Sequence, residues 1–121
     1  MEIPPPPIRN ISGLTRSVEK KTPIGVITDY AKNGKVVMGV AEFDGVYPWE
    51  KTWARNKEIE EWYVIKSGRV EMTFENGTKK VLGVDEWIYL PTGTWYRAKF
   101  SKAKLEIHTL PAWSTSQHEW R

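Results

Sequence analysis

The stretch "EIEEWYVIKSG", residues 58 to 68, decides how the sequence is interpreted. Two acidic residues lead into a run of aromatic and β-branched residues that ends at Gly68. This composition predicts a β-strand that stops at a turn formed by Ser67 and Gly68. Glu61 stands at the head of the run, so it is either a solvated residue where a strand begins or a carboxylate that the strand carries inside.

The rest of the chain predicts an all-β fold. Short apolar runs recur at about ten-residue spacing and are separated by turn signals, of which Asn33-Gly34 and Asn76-Gly77 are the strongest. No segment keeps a helical period with caps at its ends. We therefore expect about eight to ten strands that close into a sandwich or barrel.

The same pass along the chain predicts a single domain with two extensions. Four consecutive prolines, Pro4 to Pro7, favour an extended arm, which we assign to residues 1–22. The β-barrel domain is expected over residues 23–113. Residues 114–121 form a C-terminal tail, which we expect to be mobile or docked through Trp120.

A second stretch, "PTGTWY" at residues 91 to 96, is informative when it is considered together with the first. Six residues separate Glu61 from Gly68, and the second stretch supplies the pattern Pro-x-Gly-x-x-Tyr. This spacing resembles the two signature motifs of the cupin superfamily, and more weakly its ethanolamine-utilisation-type branch, over about residues 40 to 110. The resemblance implies an all-β double-stranded β-helix, the jelly-roll or cupin barrel, with Glu61 in its interior.

The chain departs from the metal-binding form of these motifs. Such cupins place His-x-His four or five residues before the acid, whereas this chain has "WARNKEIE" at residues 53–60. The histidine that closes the second motif is Tyr96 here, so Glu61 is the one expected ligand that remains. A divalent first-row metal needs three or more protein ligands, commonly imidazole and carboxylate. We therefore predict no metal site and no cofactor.

A pocket inside the barrel is the predicted binding site. An unpaired carboxylate in a barrel interior is costly, so Glu61 needs a partner such as Tyr96, Arg55 or Arg97, or a bound ligand. Seven Trp, five Tyr and three Phe in 121 residues indicate that aromatic rings line such a pocket. The candidate ligand-binding residues are Glu61, Tyr96, Tyr63, Trp53, Arg55 and His108.

His108 depends on the orientation of the last strand, "AKLEIHTLPAW". Glu106, His108 and Leu110 share one face of that strand, and Leu105, Ile107 and Thr109 share the other. If the histidine face points inward, His108 meets Glu61 and Tyr96.

Two functional hypotheses from different classes follow. The first is a cupin without the usual metal site that binds an unidentified small molecule in an aromatic-lined barrel pocket. The alternative is a cupin enzyme, an isomerase, lyase or dioxygenase, that uses Glu61, Tyr96 and His108. A barrel filled entirely by its own side chains would instead favour an interaction scaffold without pocket chemistry.

Composition narrows the partners and the location. The formal net charge is +3, but the basic residues are dispersed among acidic ones, so we do not expect nucleic-acid binding. The sequence has no Cys, no apolar run of the length that a membrane span requires, and no apolar segment of signal-peptide type at its start. We expect a cytoplasmic protein that does not bind membranes. Because both faces of several strands are apolar, we expect a homodimer.

Overall fold

The computed structural model describes residues 14–32, 34–49 and 51–121. The proline-rich beginning of the predicted arm lies outside the described residues. The described chain is built almost entirely of strands, with a single 3-10 turn near its end. The strands are β1 (Leu14–Thr22), β2 (Gly25–Lys32), β3 (Lys35–Tyr47), β4 (Ala54–Asn56), β5 (Glu60–Phe74), β6 (Lys79–Leu82), β7 (Trp87–Leu90), β8 (Tyr96–Trp113) and β9 (His118–Trp120). The 3-10 turn, η1 (Thr115–Gln117), precedes β9.

All described strand pairs are antiparallel and belong to one curled sheet. The order β1-β2-β3-β8-β4-β9 forms its main path, and β5 pairs with β8 on one side and with β6 and β7 on the other. Inward-facing side chains from these strands form one core, so the all-β prediction is confirmed. The largest fully buried apolar side chains of the core are Tyr96, Ile65, Met72, Leu90, Leu105 and Val70.

Bends in long strands replace several of the predicted turns. The strand β5 continues past Ser67 and Gly68, with register shifts against β8 on either side of Ser67. At Gly68 φ is +76°, and a Cβ atom there would lie 2.1 Å from the carbonyl oxygen of Lys102. A glycine is therefore required because two backbones meet at this bulge, and the predicted turn is wrong. Bulges of this kind let one strand bend around a barrel.

The predicted domain boundaries differ from the strand boundaries at both ends. Residues 14–22, assigned to the arm, form β1 and pair with β2. The four prolines end at Pro7 and the next proline is Pro23, so nothing between them prevents strand pairing. The predicted tail contains η1 and β9, and the indole of Trp120 donates a 3.2 Å hydrogen bond to the Tyr47 hydroxyl. Docking through Trp120 is the arrangement that the structure has.

The outer surface carries exposed aromatic side chains. Trp87 and Tyr89 on β7 point away from the core and are exposed. The homodimer expected from such faces stays a prediction, as do the cytoplasmic location and the absence of nucleic-acid binding. Among the described residues, no helix is long and apolar enough to cross a membrane.

Candidate functional site

Glu61 lies inside the barrel near the start of β5. Strand alternation places it on the same face as Tyr63 and Ile65, and only 4% of the residue is exposed. The Asn56 amide donates a 3.0 Å hydrogen bond from Nδ2 to Glu61 Oε1. Burial raises the pKa of Glu61 from 4.5 to about 7, although the bond from Asn56 acts in the opposite direction. Near neutral pH both the protonated and the ionised form of this carboxyl group are therefore accessible.

Two buried tyrosines lie close enough to this carboxyl group for its charge to act on their hydroxyls. Tyr63 and Tyr96 are 4% and 1% exposed, and their hydroxyl oxygens are 3.4 Å apart. Burial, with a contribution from the charge of Glu61, holds the pKa of both phenols well above the usual range. Both therefore stay neutral. One O–H serves the bond between them, which leaves one phenolic donor for another acceptor.

A histidine from the C-terminal segment completes the cluster. His118 Nδ1 is 2.8 Å from Asn56 Oδ1, and its Nε2 is 2.6 Å from the Tyr47 hydroxyl. Burial lowers the pKa of His118 from 6.5 to about 4, so the ring is neutral at pH 7. Because an amide oxygen can only accept, Nδ1 carries the proton, and Nε2 accepts from the O–H of Tyr47.

Asn56 holds the two halves of the site together. Its Oδ1 accepts bonds from His118 and from Gln117 Nε2 at 3.1 Å, which fixes the orientation of the amide. Its Nδ2 then faces Glu61. The orientation of the carboxyl group and that of the imidazole are thus set by one buried side chain of β4.

Tyr47 connects the same cluster to the aromatic rings. Its ring stacks on His118 with a centroid distance of 6.1 Å and lies 6.4 Å from the ring of Tyr96. Burial raises the pKa of Tyr47 to about 12, the charge of Glu61 adds to the increase, and the bond from Trp120 reduces it. Tyr47 is therefore a neutral phenol whose proton points at an imidazole.

The C-terminal segment is fixed to β4 from outside the barrel. Main-chain hydrogen bonds join Trp53 and Arg121 in both directions, at 2.8 and 3.0 Å. On the outer face of this pair of strands, Arg55 forms a 2.6 Å ion pair with Glu119. The guanidinium groups of Arg55 and Arg121 both lie over the ring of Trp95, and Arg121 also pairs with Glu75. These contacts hold His118 in the interior although β9 has three residues.

The structure brings together three of the six residues predicted for the pocket, namely Glu61, Tyr63 and Tyr96. Arg55 and Trp53 do not join them. Strand alternation along β4 points Arg55 outward, toward Glu119 and Trp95. Trp53 packs under the guanidinium of Arg97, which lies 4.3 Å from the ring centroid.

The placement of His108 near Glu61 and Tyr96 is wrong. His108 lies on the outer face of β8, where its ring stacks on Trp62 with a centroid distance of 5.9 Å. Its Nε2 is 3.1 Å from the carboxylate of Glu106. The physical reason is the alternation of β8, which buries the apolar face that carries Leu105 and turns the opposite face to the outside.

Three members of the cluster, His118, Asn56 and Tyr47, are not among the predicted pocket residues. His118 lies in the predicted C-terminal tail, and Asn56 lies in the stretch "WARNKEIE", which lacks the His-x-His pair. The one signal for His118 was the alternation of "HEW" at residues 118 to 120, which is too short to predict a strand. Tyr47 lies at the end of β3, within the stretch "DGVYP" at residues 44–48, whose composition predicts a turn but most of which continues the strand.

The residues at the cupin metal positions do not suit a metal ion. In the motif resemblance, either Ala54 and Asn56 or Arg55 and Lys57 stand where the His-x-His pair is expected, and Tyr96 stands where the closing histidine is expected, so none of these positions supplies an imidazole. Both ring nitrogens of His118 are already within hydrogen-bond distance of protein groups. Within the described part of the chain, no three His, Cys, Asp or Glu side chains are grouped so that they could hold a metal ion.

Comparison with known proteins supports the fold and not more. No family model matches the sequence. A search of curated proteins also finds no match. Among solved structures, a variant of Streptomyces PAC13 with uridine aligns with a TM-score of 0.73 at 14% identity, over 87% of this chain and 84% of that chain. The Drosophila melanogaster CENP-C cupin domain aligns with a TM-score of 0.66 at 14% identity, over 84% of this chain and 79% of that chain.

The chain has the cupin fold. A cupin-2 domain protein from Shewanella frigidimarina agrees, with a TM-score of 0.55 at 16% identity over 67% of this chain and 74% of that chain. The resemblance seen in the two sequence motifs is thereby confirmed for the fold. In this cupin barrel the cluster of Glu61, Asn56, His118 and three tyrosines is the candidate site.

Proposed function

We propose that this cupin barrel binds a nucleoside or a related small sugar compound and removes water from it by general acid–base catalysis without a metal ion. The observation that carries the proposal is the position of Glu61. A carboxyl group with a pKa of about 7 lies in one buried cluster with neutral phenols and a neutral imidazole. Carboxyl groups of this kind, with a pKa near the working pH, are suited to general acid–base catalysis.

Elimination of water needs two protein groups. A base takes a proton from carbon, the electron pair of that C–H bond becomes the second bond of a C=C, and the C–O bond breaks as the leaving hydroxyl takes up a proton. In this site Glu61 is the base, because its ionised fraction at neutral pH is substantial and Asn56 binds one of its oxygens. The free phenolic O–H of the Tyr63–Tyr96 pair is the donor to the leaving oxygen.

The pairing of Tyr47 with His118 fixes the position of a third phenol in the cluster. Because Nε2 accepts the Tyr47 proton, the imidazole orients that phenol and increases its negative character. His118 itself has both nitrogens engaged, so we assign it a positioning role.

The choice of substrate class is supported by likeness alone. PAC13 is a nucleoside dehydratase, and PAC13 variants with one histidine or one tyrosine replaced have been solved with uridine. At 14 to 16% identity these alignments support the fold alone. The assignment of a substrate class to this chain is our proposal.

The test is turnover by Glu61→Gln, which keeps the shape of the side chain and an acceptor for Asn56 but cannot take a proton. A panel of nucleosides and sugar carbonyl compounds is incubated with the wild-type chain, and loss of water is followed by mass spectrometry. Loss of a general base lowers the rate by about 10²- to 10⁴-fold. The matched control is Glu106→Gln, a carboxylate of the outer face, which leaves the rate unchanged.

A second candidate is a binding or scaffold role without turnover. It is favoured by the tight packing of the site, since Glu61, Tyr63 and Tyr96 are each at most 4% exposed. In that case the wild-type chain removes water from no compound of the panel, and Glu61→Gln changes binding or stability only.

A further inference from the structure

Thr109 carries an unexplained polar atom. Its Oγ1 atom is fully buried and has no hydrogen-bond partner. Among the side chains that the structure describes, it is the one buried oxygen or nitrogen atom of this kind. Buried hydroxyl groups in folded proteins are nearly always paired, because leaving one unpaired costs its full desolvation. The unpaired hydroxyl of Thr109 therefore requires a physical explanation.

The position of Thr109 suggests the reason. In the antiparallel pair of β5 and β8, Thr109 is directly opposite Glu61. Side chains opposite each other in such a pair have Cβ atoms about 4.5–5.5 Å apart and point to the same face. Glu61 is buried inside the barrel, so the side chains of Thr109 and Glu61 start from neighbouring positions on its inner face.

Glu61 has bonding capacity left on the same side of the barrel. A carboxylate offers about four acceptor positions, and among the described residues its side chain takes a hydrogen bond from Asn56. The neighbouring Thr109 hydroxyl can both donate and accept. Together the two residues present an acceptor and a donor–acceptor at the spacing of paired side chains.

We propose that Thr109 is a specificity-determining residue that, together with Glu61, binds the vicinal diol of a pentose. This inference rests on the proposed function. One sugar hydroxyl donates to the carboxylate of Glu61, and the adjacent hydroxyl pairs with Thr109 Oγ1. A phosphate or carboxylate ligand does not suit this pair, because Glu61 would repel it whenever it is ionised.

The experiment measures binding of uridine, 2′-deoxyuridine and 3′-deoxyuridine by isothermal titration calorimetry. We expect the wild-type chain to prefer uridine over at least one deoxynucleoside by about tenfold, the worth of one hydrogen bond. Thr109→Val, which keeps the branched shape, abolishes that preference, and Thr109→Ser retains it. Thr73→Val, on the outer face of β5, is the matched control and keeps the full preference.

Thermal unfolding separates this role from a structural one. Because the hydroxyl has no protein partner, Thr109→Val is expected to unfold at the same temperature as the wild type or higher. A lowered unfolding temperature with an unchanged preference for uridine would overturn the inference, since the hydroxyl would then serve the fold. Equal preference in Thr109→Val and wild type would also overturn it while leaving the proposed function intact. If the wild-type chain did not bind uridine, both the inference on Thr109 and the proposed function would be contradicted.

Discussion

The substitution Glu61→Gln tests the burial of this carboxyl group through the stability of the fold, and the test needs no substrate. In the folded chain the pKa of Glu61 is raised from 4.5 to about 7. Between these values the folded state holds a proton that the unfolded state has lost, so the free energy of unfolding falls as pH rises. At 1.36 kcal/mol per pKa unit, the ionised carboxylate costs about 3 kcal/mol of stability above pH 7.

Glutamine removes this cost, because it is neutral at every pH and can still accept the bond from Asn56. We expect Glu61→Gln to match the wild type at pH 4 and to exceed it by up to about 3 kcal/mol at pH 8. The assay is urea unfolding followed by tryptophan fluorescence at pH 4 to 8.5. With an m-value of about 1–3 kcal/mol/M, a gain of about 3 kcal/mol raises the midpoint at pH 8 by about 1–3 M.

The comparison with an exposed acid makes the result specific. Glu58→Gln, three residues earlier in an exposed position, should change stability by less than about 0.5 kcal/mol at any pH. A Glu61→Gln variant that is less stable than the wild type at pH 8 would refute the reasoning, since the carboxylate would then be stabilised by partners. An equal gain at pH 4 and pH 8 would trace the effect to packing and not to charge.

Three further predictions test the surroundings of the site. His118→Gln should flatten the acid side of the stability profile, because the folded pKa of about 4 lies below the ordinary 6.5 and the wild type loses stability as pH falls between them; an unchanged profile would contradict this. We expect a disulfide between Arg55→Cys and Glu119→Cys, in a chain without other cysteines, to slow uridine binding until it is reduced, because the cluster around Glu61 is buried and we propose that β9 shifts to admit a ligand; equally fast binding when oxidised would exclude that movement. Gly68→Ala should cost about 2 kcal/mol or more in urea unfolding, because its Cβ meets backbone, whereas Gly77→Ala, also at positive φ but with open space around it, should cost about 1 kcal/mol.

The sequence located Glu61 and Tyr96 correctly because both lie in short motifs whose spacing fixes which face of a strand they occupy. The place of His108 in the pocket depends on an inward-facing histidine face, and the structure contradicts that orientation. Leu105, Ile107 and Thr109 alternate with charged and polar residues along β8, which favours burial of the Leu105 face. This alternation is a stronger signal than the presence of a single imidazole.

His118 belongs to a different category, because no local pattern could place it. It meets Asn56 across a sequence separation of 62 residues, and it is held there by β9, a strand too short to show a period. The ion pair between Arg55 and Glu119 also joins distant parts of the chain. Long-range pairings of this kind depend on how the whole sheet curls, which a single sequence does not specify.

The cluster as a whole argues against an interior selected for packing alone. Glu61 has its pKa raised by burial, His118 has its pKa lowered by burial, and Thr109 keeps a hydroxyl without a partner. Each of these groups lowers the stability of the fold relative to an apolar side chain of similar volume. A scaffold gains nothing from these groups, whereas the acid–base site that we propose would use each of them. Proteins often tolerate such destabilising groups at functional sites, and here the groups lie around Glu61, the residue on which our proposal rests.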